Sequence, residues 1–200
     1  FAVSQGDSFM TVRFRLLTML PTLIALAGCA QQQQLPQVQQ EISQLNQRLQ
    51  TLAEQAVALE RQNALNAHSY AGVYLLPAAK NYALVDSAIG RLSVSLSHVS
   101  QEASGTYAQL HIRLIDGGTL PNFRAHLDWG ELDASGKPLT DGAQTQSFAV
   151  SQTLVSKWEA AIALRLTGLP PEQLGFIRLY DIEKVTGMAP QPGHISSPAH

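Results

Sequence analysis

The chain has 200 residues, a single cysteine and a formal net charge of −2, with 45% hydrophobic and 14% charged residues. That length suits one ordinary domain with extensions and argues against a multidomain enzyme. A slightly acidic chain lacks the clustered basic surface that nucleic acid requires, and one thiol excludes both an internal disulfide and a thiolate metal cluster.

The first segment reads as an address. Residue 1 is Phe, so residues 1–9 are taken as an upstream extension and Met10 as the start. Arg13 and Arg15 follow, then an apolar run over residues 16–27 that ends in small side chains. A basic start and an apolar stretch of about a dozen residues fit a secretory signal and fall short of the roughly 20 that a spanning helix needs. The arginines keep the amino end cytoplasmic while the short apolar helix enters the translocon. Leu26, Ala27, Gly28 and Cys29 resemble the lipobox of bacterial lipoproteins. The resemblance implies diacylglycerol transfer to the Cys29 sulfur, cleavage after Gly28 and acylation of the new amino terminus. Several acyl chains on one residue anchor stably where one would be marginal. Ala30 stands where the inner-membrane retention signal of enteric lipoproteins has Asp, so the expected location is the outer membrane, facing the periplasm, with the inner membrane as the alternative. Loss of Arg13, Arg15 and Asp7 with residues 1–28 turns 13 basic and 15 acidic residues into 11 and 14, a net of −3. No charge attraction to an anionic membrane remains, and the lipid does the holding.

Residues 29–34 are read as a lipidated cysteine and a glutamine-rich tether, and residues 35–68 as a heptad helix. Leu35, Val38, Ile42, Leu45, Leu49, Leu52, Ala56 and Leu59 are separated by alternating steps of three and four. That is the period of 3.5 of a coiled-coil seam, in a segment otherwise filled by helix formers. Asn63 and Asn66 continue the phase as polar residues, where the seam fades. An apolar stripe on a polar helix packs on something. Self-association into a homo-oligomer is the favoured outcome, and docking on the chain's own domain or on lipid is the alternative. Few charges flank the seam, so oligomer number is poorly encoded.

From about residue 71 to 186 the period changes from 3.5 to 2. Residues 92–98, 107–115 and 123–129 alternate as half-buried strands, with Leu110, Ile112 and Leu114 inward and His111 and Arg113 outward. Residues 73–76, 82–85, 146–150, 158–166 and 176–183 supply the others, separated by turn chemistry at 116–118, 133–142 and 167–171. Seven or eight short strands at this spacing predict an antiparallel β-sandwich of immunoglobulin-like or fibronectin-like type, with Trp129 and Trp158 in its core. In the last strand, Ile177 and Leu179 face one way and Phe176, Tyr180 and Ile182 the other, which calls for cover on both sides from within the molecule. Residues 187–200, rich in Pro, Gly and Ser, read as a disordered tail.

The lipobox, heptad helix and small β domain, with Leu127, Asp128, Trp129, Gly130 and Glu131 and the segment 176–181, resemble small enterobacterial lipoproteins of the YajI (DUF3251) type. That family has no assigned activity, so the resemblance implies only lipidation at Cys29 and an envelope location. Chemistry is sparse elsewhere. His126 and Asp128 share one outward strand face, and His111 with Arg113 is placed on the neighbouring strand; an ordinary polar surface is preferred there to a metal site. Ser93, Ser95 and Ser97 form an outward strand face without the glycines of a nucleophile elbow. Gly117 and Gly118 lack the lysine and helix of a phosphate loop. His194 and His200 fall in the tail. No catalytic residue, metal ligand or cofactor is assigned. The expected function is a non-enzymatic, lipid-anchored lipoprotein displaying a binding or assembly module to another envelope protein. A lipid- or small-ligand-binding module is the first alternative, and a hydrolase using His111, His126 and Asp128 the second.

Overall fold

The computed structural model describes residues 34–151, 155–156 and 158–186. Cys29 with Leu26, Ala27 and Gly28, the tether, and the segment 187–200 with His194 and His200 lie outside the described residues. Two units are distinguished, Phe1–Leu52 and Ala53–His200. A 34-residue helix, α1 (Gln34–Ala67), contributes to both. No described helix is long and apolar enough to cross a membrane.

In the first unit, α1 follows from a proline-free run of Gln, Leu, Ala and Glu after Pro36, residues with little to lose on entering a helix. The seam residues Leu35, Val38, Ile42, Leu45, Leu49 and Leu52 are 51–64% exposed. Each such side chain gains roughly 1.5–3 kcal/mol when fully buried, so six in one line represent a large unsatisfied driving force.

Among the described residues of the second unit, nine antiparallel strands form: β1 (Val73–Leu75), β2 (Ala83–Ser87), β3 (Gly90–Glu102), β4 (Gly105–Leu114), β5 (Phe123–Gly130), β6 (Gln144–Val150), β7 (Val155–Ser156), β8 (Glu159–Thr167) and β9 (Phe176–Lys184). One sheet has the order β1-β9-β5-β6 and the other β2-β3-β4-β8-β7. Their inner faces meet in one core, with Leu92, Leu110, Ile112 and Leu166 from one sheet against Phe123, Leu127, Ile177 and Leu179 from the other. Trp129 is buried there, and its indole N–H donates to Thr167 O at 3.2 Å. The architecture is the expected sandwich; the strand order is its own, with the first strand paired to the last.

Two expectations about side-chain direction need correction. Trp158 is 64% exposed rather than in the core, because it occupies the turn before β8, ahead of the alternation. Ile182 is buried with Ile177 and Leu179 rather than opposite them. Asp181 adopts φ +50, and the β5–β9 register shifts between Arg124 and His126, so one extra residue flips the phase after Tyr180. The cover over Phe176 is intramolecular, as expected: it packs with Ala58, Leu76 and Ala79.

The end of α1 docks on the open edge of β1 through amides. Asn66 Oδ1 accepts from Tyr74 N at 2.7 Å and its Nδ2 donates to Tyr74 O at 2.9 Å, so one side chain pairs both edge groups of that residue. Gln62, fully buried, accepts from Leu76 N at 2.9 Å and reaches Tyr82 O at 3.5 Å. An edge strand with unpaired N–H and C=O groups invites foreign strands, and these two residues close it. The docking face is built on Ala58, Gln62, Leu65 and Asn66, while Ala56 is exposed and Leu59 partly buried.

Candidate functional site

The residues grouped by sequence as one polar surface belong to different sheets. His111 and Arg113 lie on β4, whose neighbours are β3 and β8, while His126 and Asp128 lie on β5 of the other sheet. The chain crosses the sandwich between β4 and β5, so His111 is not on a strand neighbouring His126, and a site using His111, His126 and Asp128 together does not form.

Each group instead has its own surroundings. On the outer face of the β5–β9 sheet, Asp128 Oδ1 accepts from Thr145 Oγ1 at 2.7 Å and from the Tyr180 hydroxyl at 3.0 Å. His126 stacks on Tyr180, with ring centroids 5.5 Å apart, and its Nδ1 is 3.7 Å from Asp181 Oδ2, beyond hydrogen-bond range. The Arg178 guanidinium lies 4.8 Å from the Tyr180 ring centre and 5.5 Å from that of Tyr74, and donates to Ala71 O at 2.9 Å. Partial burial pushes the Tyr180 phenol above its ordinary range, and the hydrogen bond to Asp128 and that carboxylate's charge push the same way. Among the described residues, two buried nitrogens of this ladder, His126 Nδ1 and Arg178 Nε, have no hydrogen-bond partner.

The outer face of the other sheet is different. His111 Nδ1 is 2.5 Å from Glu159 Oε1, and its Nε2 is 2.7 Å from Ser97 Oγ. A carboxylate only accepts, so Nδ1 is the donor to Glu159, and the role of Nε2 toward the Ser97 hydroxyl follows the protonation of the ring. Ser97 Oγ is also 2.9 Å from His98 Nδ1. His98 takes φ +51 at a bulge in β3, where the β3–β4 register shifts between Ser97 and Ser100. The sequence reading placed Ser97 on an outward strand face without a role and did not single out Glu159, whose strand gives no local sign of facing His111. Among the described residues, no group of three His, Cys, Asp or Glu side chains stands ready for a metal ion.

Beside this line lie two adjoining depressions. One, of about 380 Å³, is bordered by Lys80, Asn81, Ser95, His111 and Glu159. The other, of about 450 Å³, is bordered by Leu84, Ile115 and Trp158. Tyr82, Ser93 and Arg113 border both.

Fold and site together define a helix-led antiparallel β-sandwich whose one sheet carries a partly apolar, partly charged outer face. Comparison with known proteins places it further. The sequence pattern of the family described as "Protein of unknown function (DUF3251)" matches residues 29–189, and the chain belongs to that family. It is 35% identical over 173 residues to the "Uncharacterized lipoprotein YajI" of Escherichia coli (strain K12), covering 86% of this chain and 96% of that protein. The solution structure of the Escherichia coli YajI lipoprotein is similar with a TM-score of 0.61 at 32% identity, covering 72% of this chain and 85% of that one. A weaker likeness, TM-score 0.48 at 14% identity, is to the trimeric lipoprotein SadB of Salmonella enterica over 90% of this chain and 96% of that one, and a similarity that low carries no argument about assembly.

Proposed function

We propose that this chain is a lipoprotein anchored through Cys29, which displays its β-sandwich as a binding module and self-associates through the exposed seam of α1. The observation that carries the reading is the seam itself: six large apolar side chains in strict heptad spacing, 51–64% exposed. An identical helix matches that spacing along its whole length, because knobs at a period of 3.5 meet holes at the same period. The anchor is supported by the lipobox, by the family match beginning at residue 29, and by a relative that is itself a lipoprotein. Ala30 favours the outer membrane. The mature chain's net charge of −3 gives no general attraction to an anionic membrane, so loss of the acyl chains is expected to remove the attachment. Labelled palmitate is expected to incorporate into the full chain and not into Cys29→Ala; incorporation into that variant overturns the anchor. The full chain in detergent is expected to sediment as an oligomer, and a strict monomer at high micromolar concentration overturns the assembly.

A second reading, hydrolysis, is favoured by one observation, the Ser97–His111–Glu159 line. It has the order of nucleophile, base and orienting carboxylate. Covalent labelling of Ser97 by a fluorophosphonate, abolished in His111→Ala, supports it; an unlabelled Ser97 disposes of it.

A further inference from the structure

The outer face of the β2-β3-β4-β8 sheet is the solvent side of a sandwich and is expected to be plainly polar. It is not. Tyr82 (55%), Leu84 (43%), Ile115 (47%) and Trp158 (64%) are exposed on it, all bordering one depression. Single exposed apolar residues are ordinary, but two aromatic rings and two aliphatic side chains around one hollow mark a surface that contacts something.

The charges beside the rings narrow what that is. Arg113 stands opposite Glu159 in the β4–β8 ladder, where an ion pair is the obvious outcome. The Glu159 carboxylate is instead bound to His111, and Arg113 makes no ion pair among the described residues. Lys80 is in the same position, set in a left-handed conformation (φ 47) at the end of a short 3-10 turn beside Asn81. Two cations without carboxylate partners among the described residues therefore line a hollow that also offers an amide and the Ser95 hydroxyl, with the Glu159 carboxylate on its border held by His111. In a chain that is acidic overall, this is a local anion site rather than general basicity.

We infer that this face binds a glycan chain carrying carboxylates. Sugar rings present flat faces of C–H groups that pack on exposed aromatic rings, and hydroxyls that need hydrogen-bonding side chains. Trp158 and Tyr82 supply the first, and Asn81, Arg113 and the Ser95 hydroxyl the second. The carboxylates, borne on the side chains of the glycan, pair with Arg113 and Lys80. A shallow, open sheet face suits a chain of rings better than a compact metabolite, which calls for enclosure over most of its surface. The backbone of Tyr82 is tied beside the hollow, where its N–H donates to Asn81 Oδ1 at 2.8 Å.

The test uses tryptophan fluorescence. The chain has two tryptophans; Trp129 is 3% exposed and Trp158 64%, so a change on adding ligand reports on Trp158. The full chain is held in a detergent without a sugar headgroup and titrated with three probes. These are soluble glycan–peptide fragments released from bacterial cell-wall sacculi, neutral chitin oligosaccharides of similar length, and phosphatidylglycerol in mixed micelles. Expected is a saturable blue shift with the acidic fragments, absent in Trp158→Phe and weakened at least tenfold in both Tyr82→Ala and Arg113→Ala. Retention of the full chain on whole sacculi should fall in parallel, measured against circular dichroism that shows the variants folded. No shift with the fragments, or retention undiminished in Tyr82→Ala and Arg113→Ala, overturns the proposal. An equal response to chitin overturns its acidic part, and a response to phosphatidylglycerol alone identifies a membrane contact and overturns the glycan.

Discussion

Replacing Gln62 by Ala tests whether the end of α1 is locked to the edge of the sandwich. The wild-type side chain is fully buried, accepts from Leu76 N at 2.9 Å and makes a long contact to Tyr82 O at 3.5 Å. Truncation leaves the Leu76 N–H buried without its acceptor, which costs about 1–3 kcal/mol. The 3.5 Å contact is at the limit of a hydrogen bond and adds little. Ala is a good helix former, so α1 itself is not weakened and nothing is lost through helix propensity. The expected destabilisation is about 1–3 kcal/mol, which for a domain of this size lowers Tm by roughly 2–12 °C. Urea unfolding followed by circular dichroism gives the free energy, and amide exchange at Leu76 gives the location. A loss below about 0.5 kcal/mol, the level of an ordinary surface change, with exchange at Leu76 unaltered would refute the reasoning, because it means water or another group already serves that N–H.

Three further outcomes follow from the same structure. Phe176→Ala removes a ring that is 3% exposed and sits under Ala58, Leu76 and Ala79, so unfolding experiments should show a loss of about 3–5 kcal/mol. Gly72→Ala places a Cβ 2.3 Å from Leu179 O at a residue with φ +96, and should lower the urea midpoint by about 1–3 kcal/mol equivalent without changing the slope. The Tyr180 phenol is raised in the folded state by partial burial and by Asp128, so its contribution is complete below the unfolded value near 10 and is lost as pH rises through the folded one. Stability should therefore fall on the alkaline side, and Tyr180→Phe should flatten that limb while costing about 1 kcal/mol at neutral pH through the lost hydrogen bond.

How much of this was legible in the sequence depends on how local the cause is. The alternation in residues 107–114 is a property of one strand, so the inward Leu110 and Ile112 were evident before any partner was known. The heptad spacing was legible for the same reason. Ile182 was misread because a bulge changes the phase after Tyr180, and hydrophobicity alone cannot show that Asp181 takes a left-handed conformation there. Asn66 looked like the point where an apolar seam fades. Its actual task, pairing both edge groups of Tyr74, depends on where a strand eight residues further on comes to lie.

The polar sites were less legible because they depend on sheet order. Strands consecutive in sequence usually pair, which is why His111 on β4 and His126 on β5 were taken as neighbours. Between those strands this chain passes to the other sheet, and β4 pairs instead with β8. The consequence runs through every contact of His111. Its partners come from 14 residues before it and 48 after it, Ser97 through β3 and Glu159 through β8. The same crossing brings Trp158, next to Glu159 in sequence, beside Tyr82 and Arg113. A tryptophan at the start of an apolar strand reads as core by composition, and nothing local contradicts that. Only the pairing of β8 against β4 shows that the residues flanking it belong to a solvent face, and it is this that turns an apparent core residue into the wall of a binding surface.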